Sequence, residues 1–510
     1  MNYYDLLGSE YLVGTIKPHV FVDLQLQELL SHVLTEKQTD NVMEVLMHPL
    51  SPIGIKQRQG LFLELEKDCI EQFFSNLIKD LYDLQAMFRT YSLHTNSLHK
   101  SVYYVDVILK YIEFVTNVCN RKLLEATASS LLREFIRSFL EIQDSPEFFH
   151  LKTEADSLKT ELRKIQLVKL DISTPNGAPA KVRVQAEDTL SFTDELLSIA
   201  QCLEETNKEF RRPHIDWELS YNFINGLSQL YPELFARLEK FHNNYQKVFT
   251  VRLLYYIDQI SFFLNMKQLF TALKEHNIPL SMPKITADKK ISINNAYDVT
   301  LLTKMKSGII PNDVVFNENQ GFYILTGANS GGKTSFLRAI AICQILCLSG
   351  CFIPAEKAEL YPFQQIFTQF PVDESQADTG RLEEEQIRVS KILTDVNEDS
   401  LVFLNETFSS TNEQLSLKLS FDLLEELCKI GTFGIFVTHQ HQLLDKAKII
   451  KGKTKIGYLT VVVLDDEEKT RTFKIVSKCA DTQSHARSIL EKHGLTRKDL
   501  IEKLSEVEQC

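Results

Sequence analysis

Apolar residues recur at three- and four-residue spacing from about residue 20 to 165, as in Cys69-Ile-Glu-Gln-Phe-Phe-Ser-Asn-Leu-Ile-Lys-Asp-Leu-Tyr-Asp-Leu84, and glycine is scarce there. That period predicts amphipathic helices. Between Val168 and Phe192 it drops to two: Val168-Lys-Leu-Asp-Ile172 alternates, Pro175-Asn-Gly177 supplies a turn, and Lys181-Val-Arg-Val184 alternates again. A small β-hairpin near 168–185 is expected. Helical spacing resumes at Thr193 and runs to about 277, where Asn277-Ile-Pro-Leu-Ser-Met-Pro283 breaks it and marks a domain boundary. From Ile285 short apolar runs alternate with helical stretches, notably at 321–326, 401–404 and 434–438, the texture of a layered α/β domain. Gly457–Leu464 and Arg471–Val476 flank the acidic stretch Asp465-Asp-Glu-Glu468 and read as a second hairpin; a helical tail follows from Ser484 to about Ser505. The fold class expected is α + α/β: a mainly helical domain over 1–284, an α/β domain over 285–480 and a helical tail over 481–510.

A chain of 510 residues exceeds one ordinary core and suggests two to four domains. Hydrophobic content of 44% and charged content of 24% are ordinary for globular proteins. No stretch reaches the roughly 18 uncharged apolar residues of a membrane span. The start, Met1-Asn-Tyr-Tyr-Asp-Leu-Leu-Gly8, lacks the basic-then-apolar pattern of a secretory signal, so a soluble cytoplasmic protein without membrane partners is expected. Nine scattered cysteines then read as reduced thiols, with Cys343, Cys347 and Cys351 packed on one buried face of a helix. A net charge of −12 excludes a polybasic coat for nucleic acid. Any DNA contact has to be local, and Arg211-Arg212 and Lys451, Lys453 and Lys455 read as solvated surface. The aromatic residues Phe73, Phe74, Tyr103, Tyr104 and Phe114 read as interhelical packing.

The chemistry concentrates at Gly327-Ala328-Asn329-Ser330-Gly331-Gly332-Lys333-Thr334, which follows the predicted strand 321–326 and opens a helical run from Ser335. A glycine-rich loop in that position wraps backbone N–H groups around a triphosphate, and the helix N-terminus adds partial positive charge. Lys333 reaches the β- and γ-phosphates, and the Thr334 hydroxyl can sit on Mg²⁺. The strand Ser400-Leu-Val-Phe-Leu404 delivers Asn405 and Glu406 at its carboxyl end, and Gly434-Ile-Phe-Val-Thr438 delivers His439. Glu406 is the candidate to orient the water attacking the γ-phosphate; His439 is the candidate sensor of that phosphate.

These residues resemble the MutS mismatch-repair ATPases. Thr326-Gly-Ala-Asn-Ser-Gly-Gly-Lys-Thr334 is similar to that family's Thr-Gly-Pro-Asn-x-Gly-Gly-Lys-[Ser/Thr] loop. Ile310-Pro-Asn-Asp-Val314 resembles the segment preceding it, and Leu348–Leu360 with Ile366-Phe-Thr368 the segment after it. Asn405-Glu406 with Thr411 resembles the Asp-Glu…Thr block, Thr438-His439 the Thr-His switch, and Ser484–Leu495 the C-terminal helical motif. More loosely, the helical half resembles the family's core and lever, with the hairpin where its clamp is inserted. The chain resembles the short standalone MutS-like proteins that lack the N-terminal mismatch-binding and connector domains, and no Phe-Tyr-Glu wedge is found. Asn405 stands where the family has the Walker B aspartate, so slow hydrolysis is expected. Asp378-Thr-Gly-Arg-Leu-Glu-Glu-Glu385 lacks the Ser-Thr-Phe stretch whose serine reaches a partner's nucleotide; Thr379 and Arg381 are candidates to replace it. Ile309 occupies the neighbourhood of an adenine-stacking aromatic, and packing or base contact are both open.

What the resemblance implies is an ATP-binding, Mg²⁺-dependent ATPase acting as a homodimeric clamp on DNA, selective for structure rather than sequence, in mismatch repair or recombination-related DNA metabolism. The site then comprises Glu406, His439 and Lys333 as catalytic groups; Gly327, Ala328, Asn329, Ser330, Gly331, Gly332, Lys333, Thr334, Ser335 and Asn405 around the nucleotide; and Thr334 and, through water, Asn405 on Mg²⁺. The alternative is a nucleotide-switched DNA- or protein-binding scaffold with little or no hydrolysis.

Overall fold

The computed structural model describes residues 4–12, 14–173, 181–191, 224–248, 251–305, 308–317, 320–328, 331–371, 381–409, 411–463 and 471–477. The chain forms two compact units, one from Met1–Leu7 with Glu64–Leu264 and the other from Gly8–Leu63 with Asn265–Cys510. The sequence pattern assigned everything before 284 to the helical domain. The structure places the N-terminal helices α1 (Pro18–Asp23), α2 (Leu26–Val33), α3 (Glu36–Leu46) and most of α4 (Pro52–Leu65) in the second unit. Hydrogen bonds within that unit account for the difference: Leu50 N–H donates to Leu348 C=O at 2.9 Å, and Gln59 Nε2 to Pro283 C=O at 2.9 Å. Helical periodicity is blind to such pairings.

The first unit contains α5 (Asp68–Leu93), α6 (Ser97–Val118), α7 (Arg121–Ala126), α8 (Ser130–Gln143), α9 (Pro146–Arg163) and α10 (Pro232–Tyr245). Helix α8 illustrates how the sequence makes them. The Ser129 hydroxyl accepts from Leu132 N–H and caps the helix, and Leu131, Leu132, Phe135, Ile136, Phe139 and Ile142 bury one face. Phe135 and Phe139 meet each other and Tyr256 at ring-centroid distances of 5.1–5.8 Å. Phe74, Tyr104 and Phe114 are buried as expected, whereas Phe73 and Tyr103 are half-buried. Strands β1 (Gln166–Ser173) and β2 (Lys181–Ser191) pair antiparallel, with Ser173 opposite Lys181, and extend the expected hairpin by a few residues at its far end. The helical segment expected from Thr193 begins outside the described residues and is observed in α10 and in the N-terminal part of α11 (Tyr255–Glu275).

In the second unit β6 (Phe322–Thr326), β9 (Ser400–Asn405) and β10 (Phe433–Val437) are buried at every position, so they read as continuous apolar runs. With β8 (Gln365–Gln369), β11 (Ile456–Val463) and β12 (Arg471–Ser477) they make a six-stranded sheet in the order β12-β11-β6-β10-β9-β8. All neighbours run parallel except the β11–β12 hairpin. Helices α12 (Lys333–Leu348), α13 (Arg381–Asp395), α14 (Glu413–Ile430) and α15 (His441–Ala447) complete this part of the unit. A second sheet, in the order β3-β7-β4-β5, comprises β3 (Lys284–Ile285), β7 (Lys357–Leu360), β4 (Ile291–Ala296) and β5 (Asn312–Phe316), and was not anticipated from the pattern. Its two- to six-residue strands are too short for alternation to register. Cys343 and Cys347 lie on α12, but Cys351 falls beyond its end rather than on the helix; all three are buried, and burial raises their thiol pKa values, that of Cys351 to about 12. The expected C-terminal tail lies outside the described residues.

Candidate functional site

Strands β6, β9 and β10 end side by side, and each carboxyl end carries a residue singled out from the sequence. After β6 the chain turns through Gly327, at φ 139°, where a β-carbon would come within 2.9 Å of Val461. Gly332 then caps α12 in the left-handed region, at φ 90°. Lys333 opens α12 with 5% of its surface exposed. Its Nζ donates to Gly327 C=O at 2.9 Å and to Ala328 C=O at 3.2 Å. Burial lowers the Lys333 pKa to about 8, and the Glu406 carboxylate pulls it back up. Asn329 and Ser330 lie outside the described residues.

Glu406 follows β9 in the left-handed region, with φ 53°, and its N–H donates to Val437 C=O at 3.0 Å at the end of β10. Its Oε1 lies 2.7 Å from His439 Nε2, so that ring nitrogen carries the proton and donates it. The same Nε2 is 3.4 Å from Lys333 Nζ. His439 is fixed from behind: Thr438 N–H donates to Leu325 C=O at 3.1 Å, and the Thr438 hydroxyl accepts from Gln440 N–H at 3.1 Å. Three segments separated by tens of residues thus bring amine, carboxylate and imidazole together.

Asn405 Nδ2 donates to Thr334 Oγ1 at 3.3 Å, while its buried Oδ1 has no hydrogen-bond partner. An oxygen acceptor left over beside a threonine hydroxyl suits a hydrated divalent cation, which takes oxygen ligands and retains waters. The donor set therefore fits the Mg²⁺ that the sequence implies, with an amide in place of a charged ligand.

A cavity of about 440 Å³ opens over the start of α12, lined by Gly331 through Phe336 and by Glu406. Its other walls are Ile309, Ile310, Asn312 and Phe473 among others, so Ile309 faces the cavity rather than a closed core. Phe473 was missed in the sequence. It sits on β12 at φ 55°, and its ring comes within 3.6 Å of where a Gly332 β-carbon would be. Nothing local flags it, because only the pairing of β12 with β11, itself beside β6, carries it there. Arg381 begins α13 and Thr379 lies outside the described residues; no nucleotide contact is assigned to either.

Fold and site together define a class: a helical unit joined to an α/β unit whose titratable side chains converge at the carboxyl ends of a parallel sheet beside a glycine-rich loop. Residues 323–508 match the family model of MutS domain V. The chain is 28% identical over 227 residues to the DNA mismatch repair protein MutS of Orientia tsutsugamushi (strain Ikeda), covering 44% of this chain and 25% of that protein. It is 32% identical over 167 residues to MutS of Clostridium perfringens, covering 32% and 18%, and 31% identical over 163 residues to MutS of Methanothrix thermoacetophila, covering 32% and 19%. Over these residues the chain is similar to domain V of the MutS proteins. It spans about a quarter or less of the length of the curated relatives it matches. Among the described residues no helix is long and apolar enough to cross a membrane.

Proposed function

We propose that the α/β unit binds ATP over the loop Gly327–Thr334 and hydrolyses it, and that a dimer of this chain couples nucleotide occupancy to DNA binding. The observation that carries the proposal is the convergence of Lys333 Nζ and Glu406 Oε1 on His439 Nε2, at 3.4 and 2.7 Å, beside a cavity large enough for a nucleoside moiety. The loop's N–H groups and the amino end of α12 favour phosphate. Lys333 exchanges its carbonyl partners for phosphoryl oxygens, and Glu406 orients the attacking water. His439, holding Glu406 from the side, registers whether the γ-phosphate is present. Mg²⁺ held on Thr334 Oγ1 and, through water, on Asn405 would draw charge from the phosphoryl oxygens. The apolar wall of Ile309, Ile310 and Phe473 suits the base. DNA and dimerisation come from the kinship with MutS proteins, whose names give mismatch repair as their role.

Steady-state ATPase of wild type, Glu406→Gln and Lys333→Ala, each with a parallel measurement of ATP binding and with a panel of duplex, mismatched and branched DNA, tests the reading. Turnover that Glu406→Gln abolishes while binding persists, together with stimulation by DNA, supports it. Equal inactivity of wild type and Glu406→Gln with ATP still bound leaves only a nucleotide-switched scaffold.

A further inference from the structure

The turn that presents Glu406 is strained and is braced from the outer strand β8. Glu406 and Phe408 both hold positive φ, 53° and 63°, without being glycine. Such conformations are costly for a side chain and persist only where the surroundings over-determine them. Between them the Thr407 hydroxyl donates to Gln369 Oε1 at 2.7 Å, both side chains being buried. Gln369 is the last residue of β8, where it pairs with Leu404 of β9.

Among the described residues β8 pairs with β9 alone, so its other edge offers unpaired main-chain groups. Asp23, the last residue of α1, covers that edge. Its Oδ2 accepts from the Thr368 hydroxyl at 2.7 Å, and the same carboxylate receives the Phe370 N–H. Its Oδ1 pairs with Arg388 of α13 at 3.5 Å, and its main-chain carbonyl accepts from Arg338 Nε of α12 at 3.3 Å. The carboxylate therefore sits where the outer strand, the helix that begins with Lys333 and the helix α13 meet. A buried charge at such a point is costly unless held for a purpose, and burial raises the Asp23 carboxyl above its ordinary range against the pull of Thr368 and Arg388.

We propose that Asp23 is a positioning residue for the Glu406 turn: it fixes the free edge of β8, β8 fixes Thr407 through Gln369, and the Glu406 carboxylate is thereby held beside Lys333. What this does for turnover rests on the nucleotide reading above; the positioning itself does not.

The test reads amide hydrogen exchange by mass spectrometry over the Glu406 turn, whose Glu406 N–H is held on Val437 C=O, in wild type, Asp23→Ala, Thr368→Val, Thr368→Ser and Gln369→Leu. Asp23→Ala, Thr368→Val and Gln369→Leu should each speed exchange at this turn about three-fold or more while a distant helix such as α8 exchanges as in wild type, and Thr368→Ser, which keeps the hydroxyl, should restore the wild-type rate. If Asp23→Ala fails to fold, the contrast between Thr368→Val and Thr368→Ser decides alone. Variants that lose thermal stability yet exchange as wild type at the turn overturn the proposal, as does a Thr368→Ser variant as fast as Thr368→Val. Failure of MgATP to slow exchange at the start of α12 in wild type instead counts against the nucleotide reading and leaves the comparison at the turn standing.

Discussion

His439 Nε2 donates to Glu406 Oε1 at 2.7 Å, so the imidazole holds the carboxylate in one orientation before any substrate arrives. A general base works through its placement as well as its charge, and proton transfer by a positioned group contributes typically about 10²–10⁴-fold in rate. Glu406→Gln should lower single-turnover ATP hydrolysis by at least about 10²-fold while the ATP dissociation constant stays within a few-fold, since the amide retains the shape. His439→Ala should cost less, because Glu406 remains anchored by its N–H to Val437 C=O. A His439→Ala loss as deep as that of Glu406→Gln would give the histidine a direct part in the chemistry.

The φ of 53° at Glu406 predicts a separation of stability from function. A side chain in the left-handed region costs roughly 1–2 kcal/mol that glycine does not incur. Glu406→Gly should therefore be more stable than Glu406→Ala by about 1 kcal/mol in urea unfolding, and both should be inactive. Equal stabilities would mean that the turn relaxes once the carboxylate is gone.

Lys333 carries a pH signature with two opposite slopes. Its native pKa of about 8 lies below the ordinary 10.5, with burial the main cause. Between those values the native state has released the proton and the unfolded chain retains it, so this residue makes stability rise with pH across that window. Phosphate binding needs the charged amine, so ATP affinity should weaken as pH rises through about 8. Lys333→Met should be more stable than wild type at neutral pH and should lose both slopes, read by thermal unfolding and equilibrium binding at matched ionic strength. A wild-type affinity that is flat from pH 7 to pH 9 would count against a phosphate contact for Lys333.

The central sheet was legible because β6, β9 and β10 are uninterrupted apolar runs, each ending in a chemically distinctive residue. Lys333, Glu406 and His439 could thus be nominated before their proximity was known. Asp23 and Phe473 could not. Asp23 falls near the start of the long helical run, and its meaning arises from Thr368, Arg388 and Arg338, which lie more than three hundred residues away in the chain. Phe473 reads as a strand residue, and its position over the glycine loop follows from sheet order. The period alone sets one boundary at 284, whereas pairings between residues far apart in the chain group α1 to α3 and most of α4 with the second unit. Local periodicity records which face is buried and not what buries it.

Asn405 offers the last test, because a single atom distinguishes it from an acidic residue. The amide donates to Thr334 Oγ1 at 3.3 Å and leaves Oδ1 without a partner, so the position provides a dipole where a carboxylate would provide charge. Mg²⁺ is bound through hard oxygen ligands, and each anionic ligand strengthens its hold. Asn405→Asp should lower the Mg²⁺ concentration that half-saturates ATP turnover by about an order of magnitude, a difference of roughly 1.4 kcal/mol, and should raise turnover at limiting Mg²⁺. Without the metal the added charge would stand beside Glu406 and the phosphates, so binding of metal-free ATP should weaken in the same variant. Magnesium titrations of ATPase, paired with ATP binding in the presence of chelator, read the two effects separately. A half-saturation point unchanged by the substitution would place the ion elsewhere than on Asn405.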